Sequence, residues 1–285
     1  KQVRGVEGGL EVDGVRCAYL SEKDPAALPW KDMDIDIVFE CTGVFTRPED
    51  VGRHIRAGAR RAILSAAPKG EGVRIVVPGV NHAEPDEKIV SCASCTTNCV
   101  TPVVEVMGRR VGIQKAIMTT IHAYTSTQNI VDGPNKQVRR GRAGAANFIP
   151  TSTGAARATT KVLTQYEGRF NGTAVRAPVP AGSISDIVFV TQRGVSVDEV
   201  NGIFREESQT DRYQGVLGVS DEALVSSDII MDPRPSIVDL SMTQVVDGTL
   251  VKVMSWYDNE WAYASQMVRE AVHMSTQQPA ATAAS

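Results

Sequence analysis

A chain of 285 residues, 42% hydrophobic and 22% charged, can build one large or two modest domains, and its composition excludes collagen, coiled coil and wholesale disorder. The net charge of −3 argues against a nucleic-acid surface, and no apolar run reaches the roughly 18 residues of a membrane span. Five cysteines are too few for a disulfide framework at this length, and the start KQVRGVEGG has no apolar signal-peptide region, so a reducing, cytoplasmic setting is expected.

In chain order, EGGLEVDGVRCAYL alternates about Asp13-Gly14 and predicts a hairpin. Residues 35–41 form an apolar, β-branched strand. Residues 47–57 form a helix with Pro48 in its first turn and Gly58 as its stop. Strands follow at 61–66, 74–78 and 89–92, and this alternation predicts right-handed parallel crossovers. A helix over 96–111, kinked by Pro102, leads to a strand over 112–124. Residues 125–147 form a long polar loop rich in Gly and Arg. The remainder predicts strands at 173–176, 185–192, 237–246 and 250–256, the last two joined at Asp247-Gly248. Helices fill 196–209 and 259–274. The tail from Ser275 is of low complexity and is expected to be disordered.

The strongest chemical signal is SCASCTTNC, residues 91–99, which ends a strand and opens a helix. A thiol at a helix N-terminus sits against the positive end of the dipole, which predicts a lowered pKa for Cys95. Cys92 and Cys99 read as small buried hydrophobes. A zinc or redox reading of Cys92 and Cys95 lacks a second Cys/His pair at ligand spacing. His122 closes the following strand, and a Cys–His pair is the minimum for an activated thiol nucleophile. The other three histidines, His54, His82 and His273, have no comparable context. Thr151-Ser152-Thr153-Gly154 precedes an Ala-rich helix and could hold phosphate on backbone N–H groups. Arg139, Arg140, Arg142 and Arg176 offer guanidinium forks for the same anion, or a solvated or subunit-contact face.

SCASCTTNC, TTIHAYT, VRRGRA, IPTSTGAA, AVRAP and SWYDNEWAY occur in this order, and the chain resembles phosphorylating glyceraldehyde-3-phosphate dehydrogenases from about Arg4 to Met274. The resemblance implies an α/β plus α+β fold. A Rossmann NAD(P)-binding domain, truncated by its first βαβ unit, spans 1–93. A catalytic domain with a large mixed sheet spans 94–258, and a helix at 259–274 returns to the NAD domain before the tail at 275–285. By the same resemblance Cys95 attacks the aldehyde of glyceraldehyde 3-phosphate and His122 takes the hydroxyl proton as hydride leaves for the nicotinamide. Inorganic phosphate then cleaves the thioester to 1,3-bisphosphoglycerate. Thr125 and Arg176 resemble the substrate-phosphate side. Ser94, Thr96, Thr153 and Gly154 resemble the attacking-phosphate side, with Arg140 nearby. Thr42, Gly43, Phe45, Ser65, Ala66, Asn259 and Tyr263 resemble cofactor contacts. NAD is the implied cofactor with NADP as the alternative, and the implied assembly is a homotetramer joined through 125–147, with no nucleic-acid or membrane partner.

The sequence departs from the family pattern in places. It contains no GxGxxG loop. Cys92, Thr127 and Ala181-Gly182-Ser183 stand where Asn, Asp and Asn-Val-Ser are commoner. An erythrose-4-phosphate dehydrogenase and an inactive interaction module are the alternative readings.

Overall fold

The computed structural model describes residues 2–277. Strands β1 (Val3–Val6), β2 (Gly9–Val12) and β3 (Val15–Ala18) form a small antiparallel meander. Asp13 and Gly14, at φ 50° and 84°, supply the two positive-φ positions of the predicted β2–β3 turn. Strand β1 is an addition to the predicted hairpin; it pairs Val3 with Val12.

A four-stranded sheet follows, built from β4 (Ile37–Glu40), β5 (Arg61–Leu64), β6 (Arg74–Ile75) and β7 (Ile89–Ser91). Its order is β4-β5-β7-β6 and every pairing is parallel, as the crossover pattern predicts. Helix α1 (Pro48–Arg56) links β4 to β5. Pro48 pre-sets its first turn, Glu49 and Asp50 face the positive end of the dipole, and Arg53 and Arg56 face the negative end. Val51 packs onto Ala62 and Leu64. Gly58 closes the helix at φ 107°, where a Cβ would lie 2.4 Å from the Lys31 Cβ, so only glycine fits. Strand β6 is shorter than the predicted 74–78: Val76 N still reaches Ser91 O, but Val77 N turns to Asn81 Oδ1 (2.8 Å).

The larger body starts with helix α2 (Cys95–Arg110), buried from Thr96 through Val104 and again at Val106 and Met107. Pro102 sits inside it without interrupting it. Next come β8 (Ile113–Ala123), β9 (Ile149–Ser152), α3 (Ala155–Val162), β10 (Phe170–Ala177), β11 (Ser183–Thr191) and α4 (Val197–Ser208). Strands β12 (Leu217–Ser220), β13 (Ser236–Val246) and β14 (Leu250–Tyr257) complete a mixed sheet of order β12-β13-β14-β11-β8-β10-β9. The unforeseen β9 and β12 are its two edges; Pro150 and Gly218 weaken their strand signal and suit edge positions. Strand β11 alternates strictly, burying Ser183, Ser185, Ile187, Phe189 and Thr191. Ile187 and Phe189 meet Val103, Val104 and Met107 of α2 and Phe204 of α4 in the main core.

Helix α5 (Trp261–Thr276) returns to the parallel sheet, where Met267 and Met274 pack with Ile63, Val76 and Val90. The Arg61 guanidinium bonds the carbonyls of Met274 and Gln277. Ser275 and Thr276 therefore belong to the helix rather than to the tail; residues 278–285 of the expected disordered tail lie outside the described residues. Among the described residues no helix is long and apolar enough to cross a membrane.

Phe204 is fully buried where α4 meets this core. Phe204→Ala should lower the unfolding free energy by about 3–5 kcal/mol in denaturant titration. A loss below about 1 kcal/mol would contradict the described packing.

Candidate active site

Cys95 is positioned by a turn with little freedom. At the end of β7, Ser91 Oγ donates to Ala66 O (2.6 Å) and accepts from Ala93 N (3.0 Å). Ala93 adopts a left-handed φ of 53°, uncommon for a residue with a Cβ. Ser94 then caps α2, its Oγ accepting from Thr97 N at 3.1 Å. Asn98 Nδ2 donates back to Cys92 O and Ser94 O at 2.8 and 2.9 Å. Cys95 is the first helical residue, as its sequence context predicts, and its Sγ lies 3.3 Å from His122 Nε2. The parallel β8–β10 register sets Arg176 beside His122. Arg176 Nη1 is 2.5 Å from His122 Nδ1 and 2.9 Å from Ala123 O.

Burial, with the Arg176 charge second, lowers the His122 pKa from the usual 6.5 to about 4. At neutral pH the ring is therefore uncharged, and its two tautomers serve two hydrogen-bond patterns. With the proton on Nδ1, that atom donates to Ala123 O (2.7 Å) and Nε2 accepts from the thiol. With Nδ1 bare, it accepts from Arg176, and Nε2–H donates to sulfur.

The lowered Cys95 pKa expected from the helix end is corrected by the structure. Burial pushes the Cys95 thiol up, and it outweighs the opposing pull of the Thr96 N–H and hydroxyl, the Arg176 charge and the residue's own N–H. Thiolate formation at this position therefore leans on His122 as proton acceptor. Cys92 and Cys99 are wholly buried and their thiols are pushed up, Cys99 to about 12, in keeping with the reading of both as inert. Tyr257 was not anticipated. Its ring stands edge-on to His122 at 5.9 Å, and its hydroxyl bridges Thr96 Oγ1 and Thr120 Oγ1 at 2.8 Å each. It lies within the SWYDNE block, which was the available signal.

A cavity of about 240 Å³ opens over this pair, lined by Ser94, Cys95, Thr96, His122, Arg140, Thr153, Gly154 and Arg176. The Nε of Arg176 is buried without a partner, an N–H donor free for an acceptor from outside the chain. Thr153 Oγ1 accepts from Ala155 N (3.1 Å) at the start of α3. Arg140 donates to Thr151 Oγ1 (3.1 Å) and Thr127 Oγ1 (3.2 Å). Thr125 does not line the cavity; its Oγ1 reaches Thr127 Oγ1 at 3.0 Å, one hydrogen bond from Arg140. Thr96 lines the cavity, and its hydroxyl lies 2.8 Å from that of Tyr257. Two of the four arginines are redirected: Arg142 pairs with Asp132 (2.9 Å) and Arg139 reaches Pro150 O.

The carboxyl ends of β4, β5 and β7 lie along one edge of their parallel sheet, where ligands of open α/β sheets bind. After β4, Thr42 N donates to Glu40 Oε1 (2.8 Å), the Thr42 hydroxyl bonds the same oxygen, and Val44 N donates to Thr42 Oγ1 (3.1 Å). Gly43, at φ 71°, faces open space on its Cβ side, and Phe45 lies under the Arg53 guanidinium. Ser65 and Ala66 follow β5, and the next residue, Ala67, lines the Cys95 cavity. Asn259 Oδ1 accepts from Ser183 Oγ (3.1 Å), which accepts from Ala123 N (3.1 Å), adjacent to His122. Tyr263 donates to Ala93 O at 3.3 Å. Behind Thr42, buried Glu40 bonds His54 Nε2 (3.0 Å), whose Nδ1 accepts from Trp30 Nε1 (3.0 Å). His54, a histidine without chemical context in the sequence, thus holds up this loop.

Comparison with known proteins decides the family. The model for the C-terminal domain of glyceraldehyde 3-phosphate dehydrogenase matches residues 94–259, and that for its NAD binding domain matches residues 1–48. The chain belongs to the glyceraldehyde 3-phosphate dehydrogenase family. It is 45% identical over 279 residues to the glyceraldehyde-3-phosphate dehydrogenase of Streptomyces coelicolor, covering 97% of this chain and 83% of the relative. Namesakes in Haloarcula vallismortis and Zymomonas mobilis are 48% and 44% identical, covering 92% and 93% of this chain and 79% of each relative. In this family member five of the six motif blocks line the Cys95 cavity, and the sixth places Tyr257 edge-on to His122.

Two outcomes follow from this geometry. Limiting iodoacetamide should alkylate Cys95 before the buried Cys92 and Cys99, and His122→Asn should slow it about tenfold or more. Peptide mapping with Cys92 or Cys99 labelled first would contradict the site. His122 also links stability to pH. Unfolded it takes a proton near pH 6.5, whereas folded it does so only near 4. The unfolded chain thus binds more protons between these values, and stability falls as pH drops through that window. Over this window His122→Gln should lose up to about 3 kcal/mol less than the parent in denaturant titrations. Equal losses would contradict a buried, neutral His122.

Proposed function

We propose that the chain is an NAD(P)-dependent, phosphorylating glyceraldehyde-3-phosphate dehydrogenase, an oxidoreductase that converts glyceraldehyde 3-phosphate and phosphate to 1,3-bisphosphoglycerate. The observation that carries this reading is Cys95 Sγ at 3.3 Å from a neutral His122, beside the partnerless Nε–H of Arg176. Cys95 is the nucleophile: as His122 Nε2 takes the thiol proton, sulfur adds to the aldehyde carbon. His122 returns that proton to the alkoxide to complete the hemithioacetal, then takes it back as a hydride leaves the same carbon and the thioester forms. The bound nicotinamide dinucleotide supplies the hydride acceptor. Attack by inorganic phosphate on the thioester carbon expels the Cys95 thiolate and releases the acyl phosphate. A thiol suits both halves, being a strong nucleophile and a good leaving group.

The anion-binding residues divide by position. Arg176, and Thr125 through the Thr127–Arg140 hydrogen bonds, serve the substrate phosphate; Ser94, Thr96, Thr153 and Gly154 serve the attacking phosphate at two helix starts. A dinucleotide fits the open strand-end edge, where Gly43 leaves room for close approach. Thr42, Gly43, Phe45, Ser65 and Ala66 would lie along it, with Asn259 and Tyr263 at its nicotinamide end. Residues 1–93 and the helix at 259–274 form the cofactor side, and 94–258 the catalytic side. We further infer a cytoplasmic homotetramer. All five cysteines are free, as a reducing compartment requires, and Ile130, Val131 and Val138 of the 125–147 loop expose apolar surface for a second copy.

Arg176→Lys tests the substrate assignment, because an ammonium cannot reproduce the guanidinium fork. Losing one charge-assisted contact, about 1.5–3 kcal/mol, should cut kcat/KM for glyceraldehyde 3-phosphate roughly tenfold to hundredfold. Unphosphorylated glyceraldehyde, which has no such anion, should lose little. Equal relative losses on both aldehydes would contradict the phosphate role.

A further inference from the structure

A second cleft, of about 480 Å³, lies against the C-terminal half of α5 and the segment after β6, and shares no lining residue with the Cys95 cavity. His82 and His273 line it, and both come close to the buried Glu270. Their nitrogen and oxygen ligand atoms all lie within 4.8 Å of one another. His82 Nδ1 is 2.9 Å from Glu270 Oε2, and the two imidazole rings are 4.3 Å apart between centroids. We propose that these three residues form a binding site for a divalent cation of the Zn²⁺ type.

Glu270 and His273 are three residues apart on α5 and share a helix face. The Glu270 carboxylate is completely buried, yet its partners are an imidazole and the Ala83 N–H (2.8 Å to Oε1); among the described residues no Lys or Arg pairs with it. A buried carboxylate without a permanent cation is costly, and a metal ion removes that cost. The Ala83 bond fixes Oε1, the kind of outer contact that orients a ligating carboxylate, and turns Oε2 to His82, where a metal would replace the hydrogen bond. Two imidazoles and one carboxylate are a three-ligand zinc set whose fourth position is open to water, here from the cleft. The absence of thiolate from the set admits Co²⁺ as well. Two arginines on the cleft wall are turned to other acceptors: Arg212 to Gly79 O and Glu105, and Arg269 to Gly215 O. Gln277 Nε2 donates to His273 Nε2 at 2.7 Å, so a metal at that nitrogen displaces the amide, whereas one at Nδ1 does not. The bound cation would clip the end of α5 to the segment at His82, holding the helix on the parallel sheet away from the reacting groups.

The test uses the Cys95→Ser chain, which removes the competing Cys95–His122 pair. Calorimetric titration with Zn²⁺ should give one site per chain and a raised Tm. His82→Ala, His273→Ala and the isosteric Glu270→Gln should each weaken binding at least ~10-fold. Co²⁺ should give weak visible d–d bands with no thiolate charge-transfer band. Absence of saturable binding, affinity unchanged in His82→Ala and His273→Ala, or a thiolate band would each overturn the proposal.

Discussion

The first turn of α2 is the constraint on which the rest of the site depends. Helix α2 leaves the carboxyl end of β7 in one sheet and runs, buried, across the core of the other. Its N-terminus therefore lies at the junction of the two, where the strand ends suited to a dinucleotide meet the catalytic sheet. The left-handed Ala93, the Ser91 and Ser94 hydroxyls and the Asn98 amide hold that turn from four directions. Displacing it would separate Cys95 from both His122 and the cofactor loops.

Burial supplies the electrostatics. It raises the Cys95 thiol and lowers the His122 imidazole, so each group favours its neutral form at rest. The pair is poised to exchange a proton when a substrate arrives rather than to sit as a permanent ion pair. Arg176 adds a positive charge on the same side, and its own pKa is lowered by burial and by Arg140. In the proposed function, a substrate anion would relieve the two neighbouring guanidiniums.

Much of this architecture was legible because local chemistry and tertiary structure agree. Asp13-Gly14 and Asp247-Gly248 mark turns that need positive φ, and both adopt it. The alternation of β11 reports its faces directly, whereas the apolar run of β4 does not, since Phe39 is exposed and Glu40 buried. What escaped notice depends on contacts distant in sequence. Strands β9 and β12 exist because longer neighbours offer them an edge. Tyr257 reaches Thr96 across 161 positions, and the Glu40–His54–Trp30 chain crosses two elements. The direction of the Cys95 shift was misjudged for the same reason: a helix dipole can be read from a motif, whereas desolvation depends on everything packed around it. The arginine loop shows this too, since Asp132 claims Arg142 and leaves Arg140 to face the cavity.

The central claim is that Cys95 carries the substrate through the reaction. Acid quenching during turnover of glyceraldehyde 3-phosphate with NAD and without phosphate, followed by peptide mass spectrometry, tests it directly. The account predicts a phosphoglyceryl increment on Cys95 that disappears when inorganic phosphate is added before the quench. An unmodified Cys95 under turnover, or an acyl group on any other residue, would contradict it.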